Sequence, residues 1–130
     1  MIGGSGEKVT LRLAAQYADF CNVGGNPDVV RHRYDVLRQH CERVGRSPDA
    51  VTRSNDVGIL IASSERELAA KKERHGDKFD LVGTPDQILE GLRRYGQAGS
   101  QYVTFHMPDA SDIEPILLLG ETVVREAAAL

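Results

Sequence analysis

Residues 3–6, Gly-Gly-Ser-Gly, followed by Glu7 and Lys8, come nearest in this chain to a phosphate cradle. A P-loop places Lys directly after its last Gly and a Ser or Thr after that, so that amides, ammonium and hydroxyl converge on one polyphosphate. Here Glu7 separates Gly6 from Lys8, and Val9 separates Lys8 from Thr10. The dinucleotide fingerprint needs a further Gly three residues after Gly6, and Val9 stands there. Both strict motifs fail. What remains is a Gly-rich turn feeding a helix N-terminus, which draws anions on any fold.

Other groups capable of chemistry are scattered. His106, beside Met107-Pro108 at a strand end, is the best-placed titratable residue, and the plainer reading is a histidine satisfied at a rim. His32 and His40 fall on the polar side of a helix and His75 in a charged loop, so all three are expected in solvent. Metal ligation would need such groups gathered, and their spacing does not gather them. Cys41 lies on an apolar stripe and Cys21 in a buried strand, which makes both small core residues. A nucleophilic thiol would need an accessible, electropositive setting. Asn55 and Asp56 interrupt a strand. They face an interior near a substrate, or they mark a frayed strand start.

The elements that must position these groups follow from periodicity. Residues 7–18 read as a helix, with Val9, Leu13 and Tyr17 as its apolar row and Ala14 beside them. Residues 20–23 form a short buried strand. Asn26 caps the next helix with Pro27 in its first turn, and Val30, Tyr34, Leu37, Cys41 and Val44 make its inward stripe until Gly45. A second strand lies within 51–62. Ser64 with Glu67 is a capping box for a short polar helix to about residue 74, and 75–80 read as a loop. Thr84-Pro85-Asp86-Gln87 starts another helix, which buries Ile88, Leu89, Leu92 and Tyr95. A third strand spans 101–107, and a last helix begins near Ile113 with Ile116, Leu117, Val123 and Val124.

Strands alternating with helices predict parallel βαβ units with right-handed crossovers. Ligand sites in such folds lie at the carboxyl ends of the strands. The loops at 3–6, 22–26, 62–64 and 106–109 are therefore expected to open on one side. The 130 residues suit one domain, and a net charge of -3 gives no case for nucleic acid. No apolar run approaches a membrane span. Two cysteines at unrelated spacing point to reduced thiols and a cytoplasmic protein.

The stretches IGGSGEKVTLRLAAQYADFCNV, PDVVRHRYDVLRQHCERVGRSPD, LVGTPDQILEGLRRYGQAGSQYVTFHMPD and DIEPILLLGETV resemble, in order and spacing, the C-terminal half of luciferase-like oxidoreductases. Within that superfamily they look most like the enzymes assigned to the deazaflavin coenzyme F-420. The resemblance covers nearly the whole chain. It implies an α/β fold: a partial parallel (β/α) barrel, residues 1–130 forming one domain that holds the region of strands five to eight. It further implies a coenzyme, F-420 or FMN, whose phosphate-bearing tail approaches the backbone N–H groups of Gly4, Ser5 and Gly6. Asn22 and Gly24, after the sixth strand, would line the same groove.

A full barrel takes about 250 residues. The resemblance leaves the first four strands, and with them the reactive-ring pocket, without a counterpart. No catalytic residue is assigned, and the expected role is part of a coenzyme groove that is not catalytically competent alone. A half barrel also leaves open strand edges and apolar inward strand faces, which predicts pairing, first of all as a homodimer through those edges. Two readings stand: the C-terminal part of an oxidoreductase or monooxygenase, and a non-catalytic module of the same fold that dimerises or binds a partner.

Overall fold

A computed structural model describes all of residues 1–130. The chain divides into two compact units, one of residues 1–56 with 95–104 and the other of residues 57–94 with 105–130. Strand pairing gives a five-stranded sheet in which β1 (Ile2–Gly3), β2 (Phe20–Val23), β3 (Thr52–Ile61) and β4 (Leu81–Gly83) follow one another, with β5 (Tyr102–His106) also on β3.

In the first unit, β1 pairs with β2 and β2 with β3, both in parallel. Helix α1 (Thr10–Tyr17) connects β1 to β2, and α2 (Pro27–Arg43) connects β2 to β3. Alternation puts Cys21 and Val23 on one strand face and Phe20 and Asn22 on the other. Cys21 faces α2, where Cys41 lies close enough to act on its thiol. The α2 stripe forms as the periodicity predicts: Val30, Tyr34, Leu37 and Cys41 are buried, while Val44 at the end is exposed. Asn26 caps it by accepting from the Val29 amide at 3.0 Å, a cap worth about 1 kcal/mol.

Helix α1 turns differently from the expected row. Leu11, Ala14 and Ala15 are buried, and Val9, Leu13 and Tyr17 are exposed. Small alanines let the helix sit close to the sheet, so they, and not the larger residues, take the inner positions. The opposite face of the strands also departs from expectation. It is polar rather than apolar: Asn22, Ser54 and Asp56 share it, with Ser54 Oγ donating to the Cys21 carbonyl and Thr104 Oγ1 to Asp56. An edge-on pair of Phe20 and Tyr102 is its aromatic part. Asn55 and Asp56 therefore belong to a continuous strand and not to a frayed start. Asn55, fully buried, accepts from Ser100 Oγ at 2.6 Å, and Ser100 meets Tyr34 Oη at 3.3 Å.

In the second unit, residues 59–61 of β3 pair in parallel with β4. This three-residue strand was not expected from sequence. Helix α3 (Glu65–His75) starts at Ser64, whose side chain accepts from the Glu67 amide. The reciprocal half of the capping box is displaced by one residue: Glu67 accepts from Ser63, not from Ser64. In α4 (Pro85–Gln97) the glutamine half of the box forms, with Gln87 Oε1 accepting from the Thr84 amide. Leu60, Ala62 and Leu68 form a core under Phe79 and Val82. The C-terminal helix, α5 (Ile113–Leu118), continues through a π-helical turn at Leu119–Val124 into α6 (Arg125–Ala127). It buries Pro115, Leu119 and Val123, leaving Ile116, Leu117 and Val124 exposed.

Candidate functional site

The Gly-rich turn and the turn after β2 lie at one end of the first unit. Gly3 stands in register with Asn22, and the Gly4 amide donates to the Asn22 carbonyl at 3.0 Å. That bond corrects one expectation: the Gly4 N–H is committed inside the protein and cannot reach a ligand. Ser5 and Gly6 make no backbone bond through their amides. Two donors therefore remain where three were expected, just before the first turn of α1. Thr10 packs under them. A Cβ on Gly6 would meet Thr10 Oγ1 at 2.8 Å, and one on Gly4 would meet Thr10 Cγ2 at 3.1 Å. Gly4 also holds φ at +134°, which disfavours any side chain.

Asn22 lies within β2 and not in the turn after it, and its Oδ1 is buried and makes no hydrogen bond. Gly24 has open space where a Cβ would stand, so close approach does not explain it. Its carbonyl accepts from the Arg33 guanidinium, and the next carbonyl, of Gly25, accepts from Tyr95 Oη at 3.1 Å. The turn is thus fixed through its oxygens by α2 and α4. Arg33 was not singled out from sequence, because nothing local marks a helix arginine as reaching nine residues back.

Of the histidines expected in solvent, His32 is exposed as expected and His40 is not, and both meet the same loop. His40 is buried and places Nε2 2.7 Å from the Glu7 carbonyl oxygen. His32 is largely exposed and places Nε2 2.9 Å from Glu7 Oε1. His40 read as solvated because its partner lies 33 positions away, beyond any helical period.

In the second unit, His106 ends β5 and lays its ring against the backbone of Gly58: a Cβ there would meet Nε2 at 2.7 Å. Asp80 approaches the same glycine and accepts its amide at 2.8 Å. His75 ends α3 rather than lying in a loop, and helps line a cleft of about 540 Å³ with Lys71, Arg74, Asp109 and Asp112. Lys71 and Asp109 form a buried ion pair that sequence reading missed. No three of the His, Cys, Asp and Glu side chains gather as metal ligands.

Both thiols are free and buried. Burial first, and then the neighbouring Cys41, pushes the Cys21 thiol up to about 11. Burial likewise raises Cys41. Neither is poised as a nucleophile, as the sequence reading holds. No helix is long and apolar enough to cross a membrane.

No protein-family model and no curated protein matches the chain. Solved structures do. The coenzyme F-420-dependent tetrahydromethanopterin reductase of Methanopyrus kandleri is 17% identical with a TM-score of 0.75, covering 95% of this chain and 49% of that one. The long-chain alkane monooxygenase LadA is 15% identical with a TM-score of 0.79, covering 94% of this chain and 39% of that one. The EDTA monooxygenase of Chelativorans sp. BNC1 is 17% identical with a TM-score of 0.76, covering 99% and 44%. A further neighbour is a riboflavin lyase solved with a modified FMN. The chain spans less than half the length of these neighbours. It has the α/β fold of the luciferase-like barrels, over about half of such a barrel.

Proposed function

We propose that this chain is the coenzyme-tail-holding half of a luciferase-like oxidoreductase or monooxygenase using F-420 or FMN, and is not catalytically competent alone. One observation carries the reading. The turn at residues 3–6 and the turn after β2 are locked together by register and by the Gly4–Asn22 bond, leaving the Ser5 and Gly6 amides unpaired at the mouth of α1. Unpaired amides of a Gly-rich turn leading into a helix suit an anion, and the buried, unpaired Asn22 Oδ1 suits a ligand donor. The fit to a phosphate-bearing tail is thus through Ser5, Gly6 and Asn22, with Gly4 and Gly24 shaping the two turns. The coenzyme would carry the hydride, while these residues bind and orient its tail. No residue here is assigned to the reacting ring.

Pairing belongs to the same reading. The exposed row on α1 and the open edge at β1 support a homodimer, and the free, buried thiols are in keeping with the cytoplasm.

Titration of the chain with FMN and with coenzyme F-420, followed by fluorescence, tests the reading. Gly6→Asp puts a carboxylate in the turn, and Gly6→Asn supplies the same bulk without charge, so both disturb Thr10 equally. Binding lost in the Asp variant and largely retained in the Asn variant is the expected result. Equal binding by wild type and Gly6→Asp would remove this turn as the anion site.

A further inference from the structure

The carbonyl of Glu7, in the loop that leads into α1, is taken by a side chain of another helix. Glu7 stands before the N-cap Val9, outside the helix, and the Leu11 amide, a first-turn donor with no intrahelical partner, meets the Gly6 carbonyl at 3.0 Å. No backbone amide bonds the Glu7 carbonyl, which is left for a side chain to meet. His40 does so from α2 at 2.7 Å, and its own burial shields the bond from water. Eight residues earlier on α2, just over two turns away, His32 holds the carboxylate of the same Glu7 at 2.9 Å. One loop residue is thus held at its backbone and at its side chain by two histidines of one helix.

We infer that His40 is a positioning residue for the Gly-rich turn, with His32 as a second hold, and that this clamp fixes the direction of the Ser5 and Gly6 amides. The inference deepens the coenzyme-tail reading and rests on it for its functional meaning, though the clamp itself can be measured without a ligand. Without His40, the Glu7 carbonyl loses the one protein donor it has, and residues 5–7 lose their hold on α2 and gain freedom to move. A carbonyl only accepts, so Nε2 of His40 must carry a proton, which sets the tautomer of the neutral ring.

Three chains decide it: wild type, His40→Leu, which removes the donor, and His40→Gln, whose amide nitrogen can donate from nearly the same place. Backbone order parameters of residues 5–7 are measured by NMR relaxation, and FMN affinity by fluorescence. Loss of order and an affinity about tenfold weaker in the Leu variant, both restored in the Gln variant, is the expected pattern. Unchanged order at residues 5–7 in a folded His40→Leu would overturn the clamp. Should that variant not fold, the imidazole ¹H–¹⁵N spectrum of the native chain decides, and an unprotonated Nε2 overturns the inference. Loss of order in the Leu variant, with no FMN or F-420 binding by wild type, supports the clamp and defeats the coenzyme reading instead.

Discussion

Lys71 Nζ lies 2.8 Å from Asp109 Oδ2, with only 13% of the lysine side chain and 5% of the aspartate side chain exposed. The same ammonium donates to the Ile61 carbonyl at 2.9 Å, so one cation ties the end of β3 to the segment that follows β5 within the second unit. Glu67, a turn earlier on α3, lies 3.8 Å from it. Removing one member of a buried pair strands the other charge, a loss of about 3–5 kcal/mol. Asp109→Leu and Lys71→Met should each lower the urea midpoint accordingly. The double variant Lys71→Met/Asp109→Leu should recover much of that loss, since it removes both charges. Purely additive losses would show that the two charges are not coupled.

The first unit should weaken at alkaline pH for a reason visible in its core. The Cys21 thiol is pushed from 9.0 up to about 11 by burial and then by Cys41. Burial, partly offset by the Ser100 hydrogen bond, pushes the Tyr34 hydroxyl from 10.0 up to about 12. Folding favours the protonated form of each. Their contribution is therefore intact below the unfolded values and is lost as pH rises through the folded ones, on the order of 2 kcal/mol for Cys21 alone. Urea midpoints between pH 8 and 11 should fall, and Cys21→Ala should flatten the slope. In the same spirit, both thiols should ignore a thiol reagent at pH 8 until the protein unfolds.

What sequence made legible was local. Asn26 with Pro27, Ser64 with its helix, and Thr84 with Gln87 are signals carried within four residues, and the structure has all three. The parallel α/β order and the meeting of the two turns followed from alternation and from the family likeness. What sequence hid was relational. Both faces of α1 are apolar at helical spacing, and only the closeness of the sheet favours Leu11, Ala14 and Ala15 over Val9, Leu13 and Tyr17. Strand β4 has three residues, too few for a pattern. His40 and the Gly4 amide changed meaning because their partners, Glu7 and Asn22, are remote in sequence.

Acid should act on the second unit through Glu67. Its carboxyl is held below the ordinary value of 4.5, first by the Ser63 hydroxyl, then by the Ser63 amide, against a smaller opposing effect of burial. A lowered folded value means the contribution is present above the ordinary glutamate range and is lost as pH falls through the folded value. Ser63→Ala removes the hydroxyl donor and leaves the amide. The Glu67 carboxyl carbon, followed by NMR, should then titrate closer to the ordinary value. An unmoved titration curve would show that the hydroxyl does not hold the carboxylate.

Association should follow from the outer face of α1. Val9, Leu13 and Tyr17 recur every fourth residue and are 56%, 38% and 75% exposed, forming one apolar row on a helix whose other face is fully covered. In the same unit, β1 is paired only with β2, so its outer edge is open. Burying what these three side chains still expose would favour pairing of two copies, Leu13 contributing least because most of it is already covered. Light scattering should therefore find a dimer. Leu13→Glu/Tyr17→Glu should weaken it roughly tenfold or more while leaving the circular dichroism of the fold unchanged, because both positions face solvent in the single chain. A well-folded wild-type monomer at high concentration would show that neither the row nor the edge is used by a second copy.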